Sequence, residues 1–256
     1  MTRLALWQGA GVPGDLSATV AEVARVTEAA AGSDILVFPE GFLTGYHIPG
    51  LAPGALPGVE GALRAVAAIA ARAGMWLVMG THLDDGTTLR NAAVILGPDG
   101  REHGRYAKRA LFGAWEKATF APGTTPVSFD AGGLRVGVAI CYDVEFPELI
   151  RAHALAGAQL VVVPTALMVP HDRVARQIVP VRALENQIFM GYANRAGTEP
   201  GLTFTGLSCI CGPGGEVLAR AGAEPVLLTA DLDPAALRAE RAEACYLSDL
   251  AELTGL

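Results

Sequence analysis

Apolar residues along this chain recur with two rhythms, one near 3.6 and one near 2, and their alternation predicts the order of elements. Arg3 to Gln8 predicts a first strand, and Asp15 to Ala31 an amphipathic helix with an acidic start and Gly32 at its end. Asp34 to Glu40 is a short, nearly continuous apolar run of the kind found in a strand covered on both faces, and it terminates in a carboxylate. A Gly/Pro-rich loop from Gly50 to Gly61 leads into an alanine-rich helix, Ala62 to Ala73, and then a strand from Met75 to Thr81. Asn91 to Leu96 and Glu102 to Ala107 flank Gly97-Pro-Asp-Gly100, a hairpin signal that leaves Lys108 just past its second strand.

Beyond an irregular stretch carrying Trp115 and Glu116, strands are expected at Val127 to Phe129 and Leu134 to Ile140. In the second of these, Val136, Val138 and Ile140 are β-branched at strand spacing, while the residues after Phe146-Pro147 take up a helical rhythm through Ala156. Cys141 therefore stands at a strand-to-helix corner. Gln159 to Val163 is a further buried strand, and His171 to Gln187 is helical with a kink or split at Pro180. Phe189 to Asn194, Thr205 to Cys211, Glu216 to Ala219 and Val226 to Asp231 complete the strands, with Gly212-Pro-Gly-Gly215 as a second hairpin turn. Strand-helix alternation followed by hairpins favours mixed sheets covered by helices, a layered α/β sandwich in a single domain over residues 1–256.

Composition removes several function classes. With 51% apolar residues the chain is long enough for one substantial core. A net charge of -7 and the lack of a basic patch argue against a grip on nucleic acid phosphates. The apolar start, Met1 to Gly9, is too short for a signal peptide, and later apolar runs are strand-sized, so a cytoplasmic protein with no membrane partner is expected. Cys141, Cys209, Cys211 and Cys245 do not form a disulfide framework; Cys209 and Cys211 alternate on one face as buried thiols, and no metal site or cofactor is expected.

Three reactive side chains sit where predicted strands or a hairpin end: Glu40, Lys108 and Cys141. Neighbouring strand ends in a layered α/β protein form a concave rim, on which the three can converge. A thiol is mostly protonated at neutral pH, with a pKa of about 8.5, so a carboxylate able to take its proton makes it a nucleophile. Lys108 favours the thiolate and then the negative charge on a carbonyl oxygen, together with the backbone N–H of Tyr142. Each residue also has a plain alternative: a buried thiol, a turn-capping carboxylate and a solvated lysine.

The segments Phe38-Pro-Glu-Gly-Phe-Leu-Thr-Gly-Tyr46, Tyr106-Ala-Lys-Arg-Ala-Leu-Phe112 and Ala139-Ile-Cys-Tyr-Asp-Val-Glu-Phe-Pro-Glu148 resemble, in order and spacing, the carbon–nitrogen hydrolase, or nitrilase, superfamily. The resemblance implies a four-layer αββα sandwich with two mixed sheets that pairs into a homodimer or higher homo-oligomer. It implies Glu40 as general base, Lys108 as oxyanion stabiliser, Cys141 as nucleophile and a second glutamate, Glu116, that keeps Lys108 aligned. Cys141-Tyr-Asp143 is similar to aliphatic amidases rather than to nitrile-cleaving or N-carbamoyl-cleaving members. Leu43 to Ile48, Glu145 to Glu148 and the Tyr246 segment are similar to the branch of 5-aminopentanamidase and stereoselective amidases.

The expected activity is hydrolysis of a small aliphatic carboxamide, ω-amino amides included, to an acid and ammonia. Tyr142, Trp115, Tyr46 and Met168 are candidates for the substrate wall, and Glu145 for a site that selects a distal ammonium, with a helix N-terminal carboxylate as its plain alternative. Gly9-Ala-Gly-Val-Pro-Gly14 also matches the letters of a dinucleotide fingerprint. Pro13 is awkward in a phosphate turn and Asp15 would oppose a pyrophosphate, so nicotinamide-dependent oxidoreduction is the minor alternative.

Overall fold

The computed structural model describes residues 1–254; the last two residues of the expected domain lie outside them. The first half runs β1 (Thr2–Gln8), α1 (Leu16–Ala29), β2 (Ile35–Val37), α2 (Val59–Ala73), β3 (Trp76–Asp84), β4 (Leu89–Leu96), β5 (Glu102–Ala107) and α3 (Gly113–Thr119). Then follow β6 (Val127–Ala131), β7 (Leu134–Val138), α4 (Pro147–Leu155), β8 (Leu160–Thr165), α5 (Val179–Asn186) and β9 (Phe189–Asn194). A small hairpin, β10 (Thr198–Glu199) with β11 (Leu202–Thr203), precedes β12 (Cys209–Cys211), β13 (Val217–Arg220), β14 (Val226–Leu232), α6 (Pro234–Glu243) and α7 (Tyr246–Thr254).

Two six-stranded sheets result, in the orders β14-β1-β2-β3-β4-β5 and β13-β12-β9-β8-β7-β6. Each is parallel at its centre, across β1, β2 and β3 in one and β7, β8 and β9 in the other, with antiparallel strands outside. Side chains alternate across each strand, so every second residue faces the other sheet. Leu4, Leu6, Val37, Val78, Val136, Val138, Leu160 and Val162 meet between the sheets. The opposite faces are covered as well. Ala5, Leu36 and Leu77 pack under α1 and α2 through Val23, Val26, Leu63 and Val66. Val161, Val163 and Met190 pack with Ile150, Ala154, Val179 and Ala183 of α4 and α5. This is the four-layer αββα sandwich with two mixed sheets.

Several boundaries differ from the sequence pattern for identifiable reasons. The stretch with Trp115 and Glu116 is helical, not irregular, in α3. β2 ends at Val37, and Phe38 to Glu40 leave the sheet while staying buried. The strand expected from Thr205 begins only at Cys209, because Gly206 and Leu207 both adopt positive φ, +62° and +59°, which no strand accommodates. The helix expected from His171 to Gln187 is split as Pro180 requires, into a wide turn (Val174–Ile178) and α5, with Pro180 in the first turn of α5. The pattern assigns nothing after Asp231, where α6 and α7 form.

Two glycines let loops cross strands at the site. A Cβ on Gly80 of β3 would lie 2.0 Å from the Pro39 carbonyl oxygen, so only glycine lets the chain turn toward Glu40 there. A Cβ on Gly123 would lie 2.1 Å from the Ala107 carbonyl oxygen, one residue before Lys108. Among the described residues, no helix is long and apolar enough to cross a membrane.

Candidate active site

The ends of β2 and β5 and the first turns of α3 bring Glu40, Lys108 and Glu116 together with almost no solvent exposure, at 0%, 0% and 1%. Lys108 Nζ donates to Glu40 Oε1 and Glu116 Oε1, both at 2.8 Å. Burial alone would lower the lysine pKa, but Glu40, Cys141 and Glu116 outweigh it and hold the ammonium charged far beyond neutral pH.

The two carboxylates are not equivalent. Glu116 Oε1 also accepts from the Tyr46 hydroxyl at 3.0 Å and from Asn91 Nδ2 at 3.5 Å, and its Oε2 accepts from the Phe112 backbone N–H at 2.6 Å. Both its oxygens are engaged. Glu40 Oε1 accepts from Lys108 and from Asn91 Nδ2 at 2.7 Å, whereas among the described residues no donor reaches its buried Oε2. A buried carboxylate oxygen without a donor is costly unless a proton or a ligand comes to it. Burial raises the Glu116 pKa against the opposing pull of Lys108.

Cys141 follows Ile140 at the end of the β7 run and opens a 3-10 turn (Cys141–Glu145), with φ at +44°. Left-handed backbone costs a non-glycine residue about 1–2 kcal/mol, so the surrounding contacts must hold it. At the first residues of such a turn, backbone N–H groups have no partner within the turn, which leaves that of Tyr142 available to an anion. The buried sulfur interacts electrostatically with Glu40, Lys108 and Glu116, and the Ala166 backbone N–H at the end of β8 points at it. Burial, with Glu40, pushes the thiol pKa well up; Lys108 and the Ala166 N–H pull the other way. At rest the sulfur carries its proton.

Above Cys141 opens a cleft of about 200 Å³, lined by Tyr46, Phe112, Tyr142, Glu145, Met168 and Arg173 among others. Three of the four expected wall residues, Tyr46, Tyr142 and Met168, are on it, as is Glu145. Trp115 is not: its ring stands behind Tyr46, with centroids 5.8 Å apart, and packs on His47 and Phe120. The short helix α3 turns Trp115 away while Glu116, the next residue, points in. Glu145 is half-buried, and desolvation raises its pKa against the fields of His171, Arg173 and Arg182.

Sequence reasoning missed Asn91, Phe112, His171 and Arg173. Asn91 is a polar residue inside an apolar strand, a weak signal; the others reach the cleft from loops. A second buried network braces the Glu40 loop. Arg195 donates to the carbonyls of Glu40 and Gly41, both at 3.2 Å, and pairs with Glu199, whose carboxylate accepts from the backbone N–H groups of Tyr46 and His47. In the glycine-rich stretch before α1 the Asp15 side chain accepts from the Ala18 N–H, which places a negative charge at the helix N-terminus where a phosphate would have to sit.

An αββα sandwich with a buried thiol beside an ion-paired lysine and two carboxylates has counterparts among known proteins. The family model described as carbon-nitrogen hydrolase matches residues 3–242. The chain is 34% identical to an (R)-stereoselective amidase from Pseudomonas sp, covering 96% of this chain and 90% of that protein. It is 40% identical to a nitrilase from Pyrococcus abyssi over 74% of this chain and 72% of the other. The crystal structure of an amidase from Nesterenkonia sp. superposes with a TM-score of 0.86 at 37% identity, covering 94% of each chain. A variant of that amidase carries the acetamide moiety of fluoroacetamide covalently on its active-site cysteine. The fold and the matched segments define a hydrolase of the nitrilase superfamily. The chain belongs to the carbon–nitrogen hydrolase family.

Proposed function

We propose that this protein is a cysteine-dependent amidase that hydrolyses a small aliphatic carboxamide, ω-amino amides included, to a carboxylic acid and ammonia. The observation that carries this reading is the free Oε2 of Glu40, on a carboxylate whose other oxygen is fixed by Lys108 and Asn91. Glu40 Oε2 takes the proton of Cys141, and the sulfur attacks the amide carbon. The oxygen of the tetrahedral intermediate is held by Lys108 Nζ and the Tyr142 backbone N–H. Glu40 returns the proton to the departing nitrogen, ammonia leaves, and a thioester remains on Cys141. Water, deprotonated by Glu40, attacks the thioester and releases the acid and the thiol. Glu116, saturated by its own donors, holds Lys108 and moves no proton.

The cleft volume supports a short acyl chain, and Glu145 on its wall supports acceptance of a distal ammonium. The amidase relatives and the cysteine adduct of the Nesterenkonia enzyme support amide cleavage. The similarity to the Pyrococcus abyssi nitrilase keeps nitrile hydrolysis as the second reading. An ammonia-release screen of aliphatic amides, ω-amino amides, nitriles and N-carbamoyl amino acids tests the choice. Amide turnover is expected, and a response to nitriles alone would refute it.

We also infer a homodimer formed through the α4–α5 face. Phe146, Leu155, Val181, Leu184 and Tyr246 are exposed in or beside α4, α5 and α7, whereas none of the large exposed apolar residues belongs to α1 or α2. A monomeric mass at working concentration would overturn this.

A further inference from the structure

Asp143 lies two residues beyond Cys141, is fully buried, and takes no part in the reaction as drawn above. Its Oδ2 accepts from the Ile140 backbone N–H at 2.9 Å and from the Tyr106 hydroxyl at 2.8 Å, and its Oδ1 accepts from the Ala110 backbone N–H at 2.7 Å. The Arg109 backbone N–H in turn bonds the Tyr106 hydroxyl. Ile140 immediately precedes the nucleophile candidate. Tyr106, Arg109 and Ala110 flank Lys108 on both sides. One carboxylate therefore bolts the turn that carries Cys141 to both shoulders of the strand end that carries Lys108, across the gap between the two sheets.

The turn needs such a hold. Cys141 sits at φ +44°, and the Asp143 backbone N–H closes on the Ile140 carbonyl at 3.0 Å, so the turn is tight and strained. We propose that Asp143 is a positioning residue that fixes Cys141 and the Tyr142 N–H relative to Lys108, so that both oxyanion donors and the sulfur address one carbonyl. This rests on the reading of Cys141 as nucleophile and Lys108 as oxyanion donor. The three donors require a group that only accepts. An asparagine offers one accepting oxygen, so its amide NH₂ must face either the Ala110 N–H or the Ile140 N–H and Tyr106 pair, and one side of the bolt opens.

The test compares Asp143→Asn with Tyr106→Phe, which keeps both backbone bonds and deletes only the hydroxyl. For each, folding is followed by near-UV circular dichroism, turnover by ammonia release from butyramide, and thiol geometry by iodoacetamide alkylation mapped to the Cys141 peptide. A misplacement of the donors by about 1 Å costs roughly 100-fold in rate, so folded Asp143→Asn should lose about that in kcat with KM within about threefold of wild type. Its Cys141 alkylation should slow by about tenfold, and Tyr106→Phe should show both effects in smaller measure. A folded Asp143→Asn with wild-type kcat and alkylation would overturn the proposal. If Asp143→Asn does not fold, Tyr106→Phe decides, and unchanged kcat and alkylation in it would overturn the proposal equally. Turnover retained by Cys141→Ala would instead break the underlying reading of the nucleophile, which the alkylation rates do not depend on.

Discussion

Replacing Glu116 by glutamine removes one charge and keeps the shape, and the contacts around it set the size of the response. The carboxylate receives Lys108 Nζ at 2.8 Å, the Tyr46 hydroxyl at 3.0 Å and Asn91 Nδ2 at 3.5 Å on one oxygen, and the Phe112 N–H at 2.6 Å on the other. If the amide oxygen faces Lys108, the NH₂ confronts the Phe112 N–H, and a charge-assisted bond gives way to a buried donor without an acceptor. That costs about 1–3 kcal/mol. If the amide is reversed, the NH₂ confronts Lys108 and Tyr46, and the lysine keeps only Glu40. Breaking a buried ion pair costs about 3–5 kcal/mol, so with Glu40 still in place the reversed orientation costs about 2–4 kcal/mol, and the loss expected in the cheaper orientation is about 1–3 kcal/mol. In either orientation Lys108 is ion-paired on one side only. Because one oxyanion donor is worth about 10²–10³ in kcat, its partial release should cost about 100-fold. Urea unfolding gives the first quantity and ammonia release from butyramide the second. An exposed loop carboxylate would change stability by less than about 0.5 kcal/mol. A Glu116→Gln protein with unchanged urea midpoint and unchanged kcat would refute the reasoning.

In Glu40→Gln the amide oxygen can still accept from Lys108 and Asn91, while the NH₂ at the Oε2 position cannot take a proton; folding should persist and kcat should fall by at least about 10³, measured by ammonia release. His82 is fully buried, neither of its ring nitrogens has a hydrogen-bond partner among the described residues, and burial, then the fields of Arg195 and Lys108, push its pKa down to about 3. The unfolded imidazole takes its proton near 6.5, so unfolding is favoured progressively as pH falls from about 6.5 toward 3, by up to about 1.4 kcal/mol per pH unit. His82→Phe, which keeps the ring packing on Phe120, should remove that component from the pH dependence of urea stability. Identical slopes in variant and wild type would contradict it.

The fold was readable where periodicity and burial agree. Ile35 to Val37 and Leu160 to Val163 are apolar on both sides because both sheet faces are covered, Leu134, Val136 and Val138 alternate toward the space between the sheets, and the hairpin at Gly97 to Gly100 forms as its turn residues dictate. Glu40, Lys108 and Cys141 were visible as chemistry at the ends of such runs. The helix holding Glu116 was not, because seven residues with no apolar period carry no helical signal, and Phe112 at its N-cap offers no capping side chain. The direction of Trp115 relative to Glu116 is open to sequence for the same reason, since only the helix sets it. Asn91, Asp143, Arg195 and Glu199 act through contacts with residues 25 or more positions away, apart from the Arg195–Glu199 pair and the Ile140–Asp143 bond. No local pattern encodes such pairings.

The most direct test of the account is to quench the wild-type enzyme in acid during turnover of butyramide and map the acyl group by peptide mass. The account predicts a butyryl thioester on Cys141, with ammonia released as it forms and neither product in Cys141→Ala. An acyl group on another residue, or undiminished ammonia release by Cys141→Ala, would contradict it.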